Sequence, residues 1–300
     1  MLPPYFSKGD RKMRRGKFSP KNEIEKQFYD DFKQLAQHHN AWTVWSDFVD
    51  MTAYSIANSF ESRKDVWEDR EAAYLSIIKK YNKAEQELFP KLFGDVVLAL
   101  EENPAQDFLG DLYMRMEFGD DWRAQIFTPW HLSEMMARMT LGEGLKEEVN
   151  RQGYISVYDP CCGSGVMLLA AAHVAKTQDV NYQQSIIFAG QDIDPLVARM
   201  CYIQMSLLGC PGYVAVGNTL SEPLLGSDLH PNYPADRLYF TPLFYVNRWC
   251  FRRQKVEETS AAGLIPFKRV LPAVRTLPSA YTISLDVIIK DILTNRRMKM

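Results

Sequence analysis

Between residues 153 and 216 short apolar runs alternate with helical segments, and this alternation limits what the chain can fold into more than any other feature. The runs at 155–158, 185–189 and 213–216 are too short for helices, whereas 166–175 and 196–208 repeat apolar residues at helical spacing, the second closed by Gly209. Strands apolar along nearly their whole length, each followed by a helix, bury both faces only in a parallel sheet covered by helices. The expected fold class is α/β, a Rossmann-like doubly wound domain preceded by an α-helical N-terminal domain.

The helical expectation covers residues 21–102. Ile24, Phe28, Phe32 and Leu35 recur at three- to four-residue steps, and no proline occurs between Pro20 and Pro90. Trp42, Trp45, Phe48 and Tyr54 thicken this stretch into a helical domain with its own core. A further helix at 107–116 leads through Gly119 to a Met-rich helix at 133–140, whose Met135, Met136 and Met139 are read as core. The organisation is therefore a basic N-terminal tail (1–20), a helical domain (21–115), an α/β domain (116–250) and an irregular basic C-terminal segment (251–300). In that last segment Pro266, Pro272 and Pro278 recur every six residues before an amphipathic stretch at 283–293.

With 46% hydrophobic and 24% charged residues among 300, the chain reads as an ordinary globular protein rather than a disordered one. It has no uninterrupted apolar run of membrane-spanning length, and its basic start has no apolar stretch behind it, so a cytoplasmic protein with no membrane partner is expected. Cys161, Cys162, Cys201, Cys210 and Cys250 include no CxxC pair, which points to free thiols in a reducing compartment and to no metal site. The net charge of −2 hides an asymmetry: residues 1–26 carry +5, residues 252–300 carry +6, and the body between them carries −13. Basic ends fit either nucleic-acid contact or solvated tails.

The chemistry concentrates in Asp159-Pro160-Cys161-Cys162-Gly163-Ser164-Gly165, between the first strand and the first helix of the α/β domain. A tight turn that brings backbone close to a ligand needs glycine, and the helix that follows aims free N–H groups at whatever binds. A dinucleotide fingerprint would require glycine or alanine at position 168, which is Leu168, so S-adenosyl-L-methionine is preferred to NAD as the ligand. Asp192, at the end of the second strand, is placed to accept from ribose hydroxyls, with Ile193 packing on the adenine and Asp194 capping the next helix ahead of Pro195. After the third strand Asn218 either meets the adenine amine or closes a turn.

Asp107-Phe108-Leu109-Gly110-Asp111-Leu112-Tyr113, Gln125-Ile126-Phe127-Thr128-Pro129, the Asp159–Gly165 loop and Gly217-Asn218-Thr219-Leu220 occur in an order that resembles the N-6 adenine DNA methylases, the methylating subunits of type I restriction-modification systems. The resemblance spans about residues 85–220. It implies S-adenosylmethionine-dependent methylation of the adenine N6 amine in DNA, with a separate specificity subunit as partner. It also implies that Phe127 and Thr128 join Asp159, Pro160, Gly163, Ser164, Gly165, Asp192, Ile193 and Asn218 around the cofactor. The family's Asn-Pro-Pro-aromatic motif, which accepts from the target amine and stacks on the flipped base, does not occur in this sequence. Its positional counterpart is Thr241-Pro242-Leu243-Phe244, with Thr241, Pro242 and Phe244 as catalytic candidates after an apolar run, 238–240, expected to be strand four. Losing one preorganised acceptor costs on the order of 3 kcal/mol, so a catalytically inactive cofactor-binding module is the alternative expectation.

Overall fold

The computed structural model describes residues 18–116, 127–246 and 248–254. Both basic tails lie largely outside these residues, as do Gln125, Ile126 and the 283–293 stretch.

Six helices come first: α1 (Glu23–Leu35), α2 (Ala41–Asn58), α3 (Lys64–Ile78), α4 (Lys83–Gln86), α5 (Leu88–Glu102) and α6 (Phe108–Arg115). Asn22, Asn40, Asn82 and Asp107 cap four of them, each side chain accepting from a backbone N–H three residues on. The periodic residues meet as expected. The Phe28 ring is fully buried and is met edge-on by Trp45, Phe48 and Phe108 at centroid separations of 6.1, 5.7 and 6.0 Å. The helices do not close a core of their own, however. One hydrophobic cluster runs from Phe28 through Leu109 and Leu169 to Met200 and Val214, so the helical layer and the α/β layer share it. The reason is helix α11 (Pro195–Leu207), apolar on nearly every side, which packs on α2 outward and on the sheet inward. Arg199 on α11 fixes that seam, with Nη1 2.7 Å from Asp50 Oδ1 on α2 and Nε donating to the Tyr239 hydroxyl at 3.2 Å.

The chain continues through α7 (Trp130–Leu141), α8 (Leu145–Gln152), β1 (Ile155–Asp159), α9 (Val166–Thr177), the single turn α10 (Tyr182–Ser185) and β2 (Ile186–Asp192). After α11 follow β3 (Gly212–Val216), a small hairpin of β4 (Leu225–Ser227) and β5 (His230–Asn232), and β6 (Leu238–Phe240). Strands β1, β2 and β3 are parallel neighbours, Ile155 opposite Ile186 and Phe188 opposite Gly212. Strand β6 joins the outer side of β3 and runs antiparallel, Tyr213 opposite Phe240. Residues 238–240 thus form the expected fourth strand of the sheet, and it is antiparallel to its neighbour. Among the described residues nothing pairs with the other edge of β1.

The two faces of the sheet are covered differently. Ile186, Phe188 and Val214 face the helices. Ile187, Ala189, Tyr213 and Ala215 face a smaller cluster closed by Leu229, Phe244 and Trp249. The doubly wound expectation thus holds for one face only among the described residues; the second is covered by the hairpin, a 3-10 turn at Pro242–Tyr245 and a short helical segment at 248–254. Helix α7 brings a further correction. Met135, Met136 and Met139 are exposed, and it is Ser133 and Ala137 that turn inward against α9. No helix among the described residues is long and apolar enough to cross a membrane.

Candidate cofactor site

Because β1, β2 and β3 run in the same direction, the turns after them meet at one edge of the sheet, where open α/β folds form their crevice. The turn after β1 is held by its own polar groups. Asp159 Oδ1 accepts from the Cys161 N–H at 3.0 Å, and the Cys162 N–H donates to the Gln191 carbonyl at 3.0 Å. Gly163 and Gly165 have φ of 52° and 99°, in the left-handed region that side chains resist. A Cβ at Gly165 would lie 2.7 Å from Cys201 Sγ on α11, and one at Gly163 would lie 3.2 Å from the Phe127 ring. The two glycines therefore serve a backbone path pressed between α11 and Phe127.

Asp192 closes the crevice from β2. Its Oδ2 accepts from the Gly163 N–H at 2.8 Å and its Oδ1 from the Asp194 N–H at 2.9 Å. A carboxylate offers about four lone-pair positions, so acceptor capacity is left for a ligand. Ile193, beside it, is 67% exposed, and Leu220 from the turn after β3 is 94% exposed. Asp194 caps α11 as expected, accepting from the Leu196 N–H at 2.9 Å with Pro195 in the first turn. The Asn218 side-chain oxygen accepts from the Leu220 N–H at 2.9 Å, so the turn role describes it here. Thr219, which sequence reasoning missed, donates its hydroxyl to the Pro160 carbonyl at 2.5 Å and joins the first and third turns.

The edge is predominantly acidic. Residues 159–166, 190–195 and 217–222 include Asp159, Asp192, Asp194 and Glu222 and no Lys or Arg, while Arg237 reaches the turn after β3 with its Nη1 2.6 Å from Glu222 Oε2. Burial pushes the Asp192 carboxyl above its usual range; burial, then the charge of Asp192, does the same to Asp159. Among the described residues Asp159 and Asp192 form no ion pair, and carboxylates so placed attract a ligand carrying an ammonium and a sulfonium. The donor set and the glycine cradle fit S-adenosylmethionine.

The structure thus brings Phe127, Asp159, Pro160, Gly163, Gly165, Asp192, Ile193 and Asn218 to one edge, with Thr128 half-buried beside Phe127 at the entrance to α7. It turns Ser164 away: that residue is fully buried and donates its hydroxyl to Asp107. It also separates the catalytic candidates from the crevice. As β6 is antiparallel, its far end adjoins the first residue of β3, and the five residues of β3 put that point about 13 Å from the crevice edge. There Thr241 Oγ1 accepts from the Gly212 N–H at 2.9 Å and donates to the Cys210 carbonyl at 2.7 Å. Phe244 is stacked on Phe240 at 4.8 Å, with the Arg253 guanidinium 4.6 Å above its ring. Thr241, Pro242 and Phe244 are buried in this corner of the fold, away from the crevice formed by the turns after β1, β2 and β3, so the structure does not bring the catalytic candidates and the cofactor candidates together.

Comparison with known proteins follows the same outline. No curated protein sequence matches the chain. Among solved structures it resembles the methyltransferase subunit of a type I restriction-modification system from Streptococcus thermophilus, at 17% identity and a TM-score of 0.39, over 68% of this chain and 60% of that one. It also resembles a Listeria monocytogenes protein assigned to the class I S-adenosylmethionine-dependent methyltransferases, at 16% identity and a TM-score of 0.37, over 69% of this chain and 57% of that one. The chain therefore spans little more than half the length of either structure. The N-6 DNA methylase family model matches residues 105–262, a span that runs from the capping aspartate of α6 across the glycine turn, Asp192 and the turn after β3, and the chain belongs to that family.

Proposed function

We propose that this protein binds S-adenosylmethionine at the edge formed by the turns after β1, β2 and β3, and serves methyl transfer to the N6 amine of adenine in DNA as a modification-type subunit. The observation that carries the binding is Asp192, which links the Gly163 backbone to the second strand and keeps acceptor capacity beyond the two N–H groups that orient it. In this reading Asp192 accepts from the ribose hydroxyls and Asp159 lies toward the methionine ammonium. Ile193 covers the adenine, and Phe127 closes over the turn at Gly163. When bound, the cofactor supplies an electrophilic methyl group on its sulfonium. What the chain's residues do is orient it and exclude water from its methionine end. DNA and a separate sequence-reading subunit are the partners this reading calls for.

A second reading, a cofactor-binding module that does not itself transfer methyl groups, is favoured by the position of Thr241 and Phe244 at the opposite end of β3. The two readings part in one experiment. Binding of labelled S-adenosylmethionine is titrated, and label transfer to unmethylated genomic DNA is then measured with and without candidate specificity subunits. Micromolar binding with transfer to adenine N6 supports the first reading, and binding without transfer under every partner condition supports the second. Absence of binding overturns both.

A further inference from the structure

The Asp107-Phe108-Leu109-Gly110 segment lies within the span matched by the N-6 DNA methylase family model, yet it is buried away from the crevice surface. Its use lies beneath it. Asp107 caps α6, accepting from the Gly110 N–H at 3.0 Å, and is buried. The same carboxylate accepts the Ser164 hydroxyl and, at 2.8 Å, the Gln204 side-chain amide of α11. Gln204 has a second bond from that amide to the Ser164 carbonyl at 2.9 Å, and its oxygen accepts from the Leu109 N–H at 3.1 Å. Ser164 and Gln204 are both fully buried, so these bonds do not compete with water. Gly110 is glycine for the same reason: a Cβ there would collide with Asp107 Oδ2 and Ser164 Oγ.

Ser164 lies between two residues of positive φ, Gly163 and Gly165. A glycine-flanked turn has many accessible backbone states, and ordering it before the ligand binds costs conformational entropy. We infer that Asp107 and Gln204 are positioning residues for the cofactor, gripping Ser164 by hydroxyl and carbonyl so that the Gly163–Gly165 turn is set before the ligand arrives. The clamp joins three elements: α6, the turn after β1, and the helix that follows Asp192. It therefore fixes the glycine turn and the ribose-side carboxylate relative to each other. Apparent affinity falls by the fraction of molecules whose turn is misplaced, so loosening the clamp weakens binding without removing any contact to the ligand.

This inference rests on the binding reading above, and the test separates the two. Ser164→Ala removes the hydroxyl and leaves the α6 cap intact; Asp107→Asn keeps a capping oxygen and weakens the grip. For full-length wild type and both variants, the dissociation constant for S-adenosylmethionine, the Tm without ligand and hydrogen exchange at 163–166 are measured. The clamp predicts at least a tenfold weaker dissociation constant for Ser164→Ala, a smaller loss for Asp107→Asn and faster exchange confined to the turn, with the ligand-free Tm lowered by only a few degrees. An affinity within twofold of wild type overturns it. If wild type binds no S-adenosylmethionine, the ligand assignment fails, and exchange alone decides the clamp: accelerated exchange at 163–166 in Ser164→Ala sustains it, and unchanged exchange overturns it.

Discussion

The two ends of β3 differ in how their polar and aromatic groups are used. At the Gly212 end the polar and aromatic groups are engaged: Thr241 bonds the Cys210 carbonyl and the Gly212 N–H and carbonyl, and Phe244 contacts Phe240 and Arg253. At the Val216 end groups are held in place but not used up. Asp192 is oriented by two N–H donors with acceptor capacity left, the glycine turn has positive φ, and Ile193 and Leu220 stand in solvent. A region that is only structural satisfies its donors and buries its rings. Exposed apolar side chains beside a preoriented carboxylate are what the proposed binding reading requires at this end.

Substitutions at the crevice end should move binding most. Gly165→Val forces a β-branched residue to φ of 99° against Cys201, at a cost of about 2–5 kcal/mol from strain and overpacking together. S-adenosylmethionine binding is expected to be lost, with calorimetry showing no heat at ligand concentrations a hundredfold above the wild-type dissociation constant. Retained binding would mean that the turn is not the ligand's seat. Asp192→Asn should come next, weakening binding by roughly ten- to a hundredfold through loss of charge-assisted bonds of about 1.5–3 kcal/mol. The pH dependence has a definite sign. The ionised carboxylate is the form that attracts a cationic ligand, and burial raises its pKa, so wild-type affinity should fall on acidification with a midpoint above the ordinary carboxylate value. In Asp192→Asn that dependence should flatten, leaving the part contributed by Asp159; an unchanged profile would assign the titration elsewhere.

At the opposite end the expected signature reverses. Thr241→Val strands the Gly212 N–H in a buried site, which costs about 1–3 kcal/mol and lowers Tm by several degrees, while the dissociation constant stays within twofold of wild type. A tenfold loss of affinity in this variant, at a temperature where it is fully folded, would erase the distinction between the ends.

The glycine turn, Asp192 and the capping role of Asp194 were readable from sequence because each rests on local chemistry: positive φ, a strand-end acid, a Pro in the first helical turn. Errors arose where the answer depended on a distant partner. Residues 238–240 read as a strand, but nothing in them says which edge they join or in which direction, and the antiparallel pairing with β3 reverses the site implied for Thr241. Met135, Met136 and Met139 are periodic, yet α7 turns its small residues inward, because Ala137 allows close approach to α9 where methionine does not. Gln204 carries a further signal: a lone amide between Ile203 and Met205 on a largely apolar helix needs buried partners, which Ser164 and Asp107 provide.

Ile193 gives the finest discrimination between the ends. Its side chain is 67% exposed, so it contributes little to the folded state, and surface truncations of this kind shift stability by no more than about 0.5 kcal/mol. If adenine lies against it, Ile193→Ala removes apolar area that is buried only in the complex, at about 25 cal/mol per Å². A few tens of Å² then correspond to a loss of about 1 kcal/mol, a three- to fivefold weaker dissociation constant with an unchanged Tm. The same truncation at Phe244, fully packed without any ligand, should do the reverse, lowering Tm and leaving affinity alone. Equal effects of the two truncations on affinity would show that the crevice extends across the sheet, and that exposure at one end and satisfaction at the other do not separate function from fold.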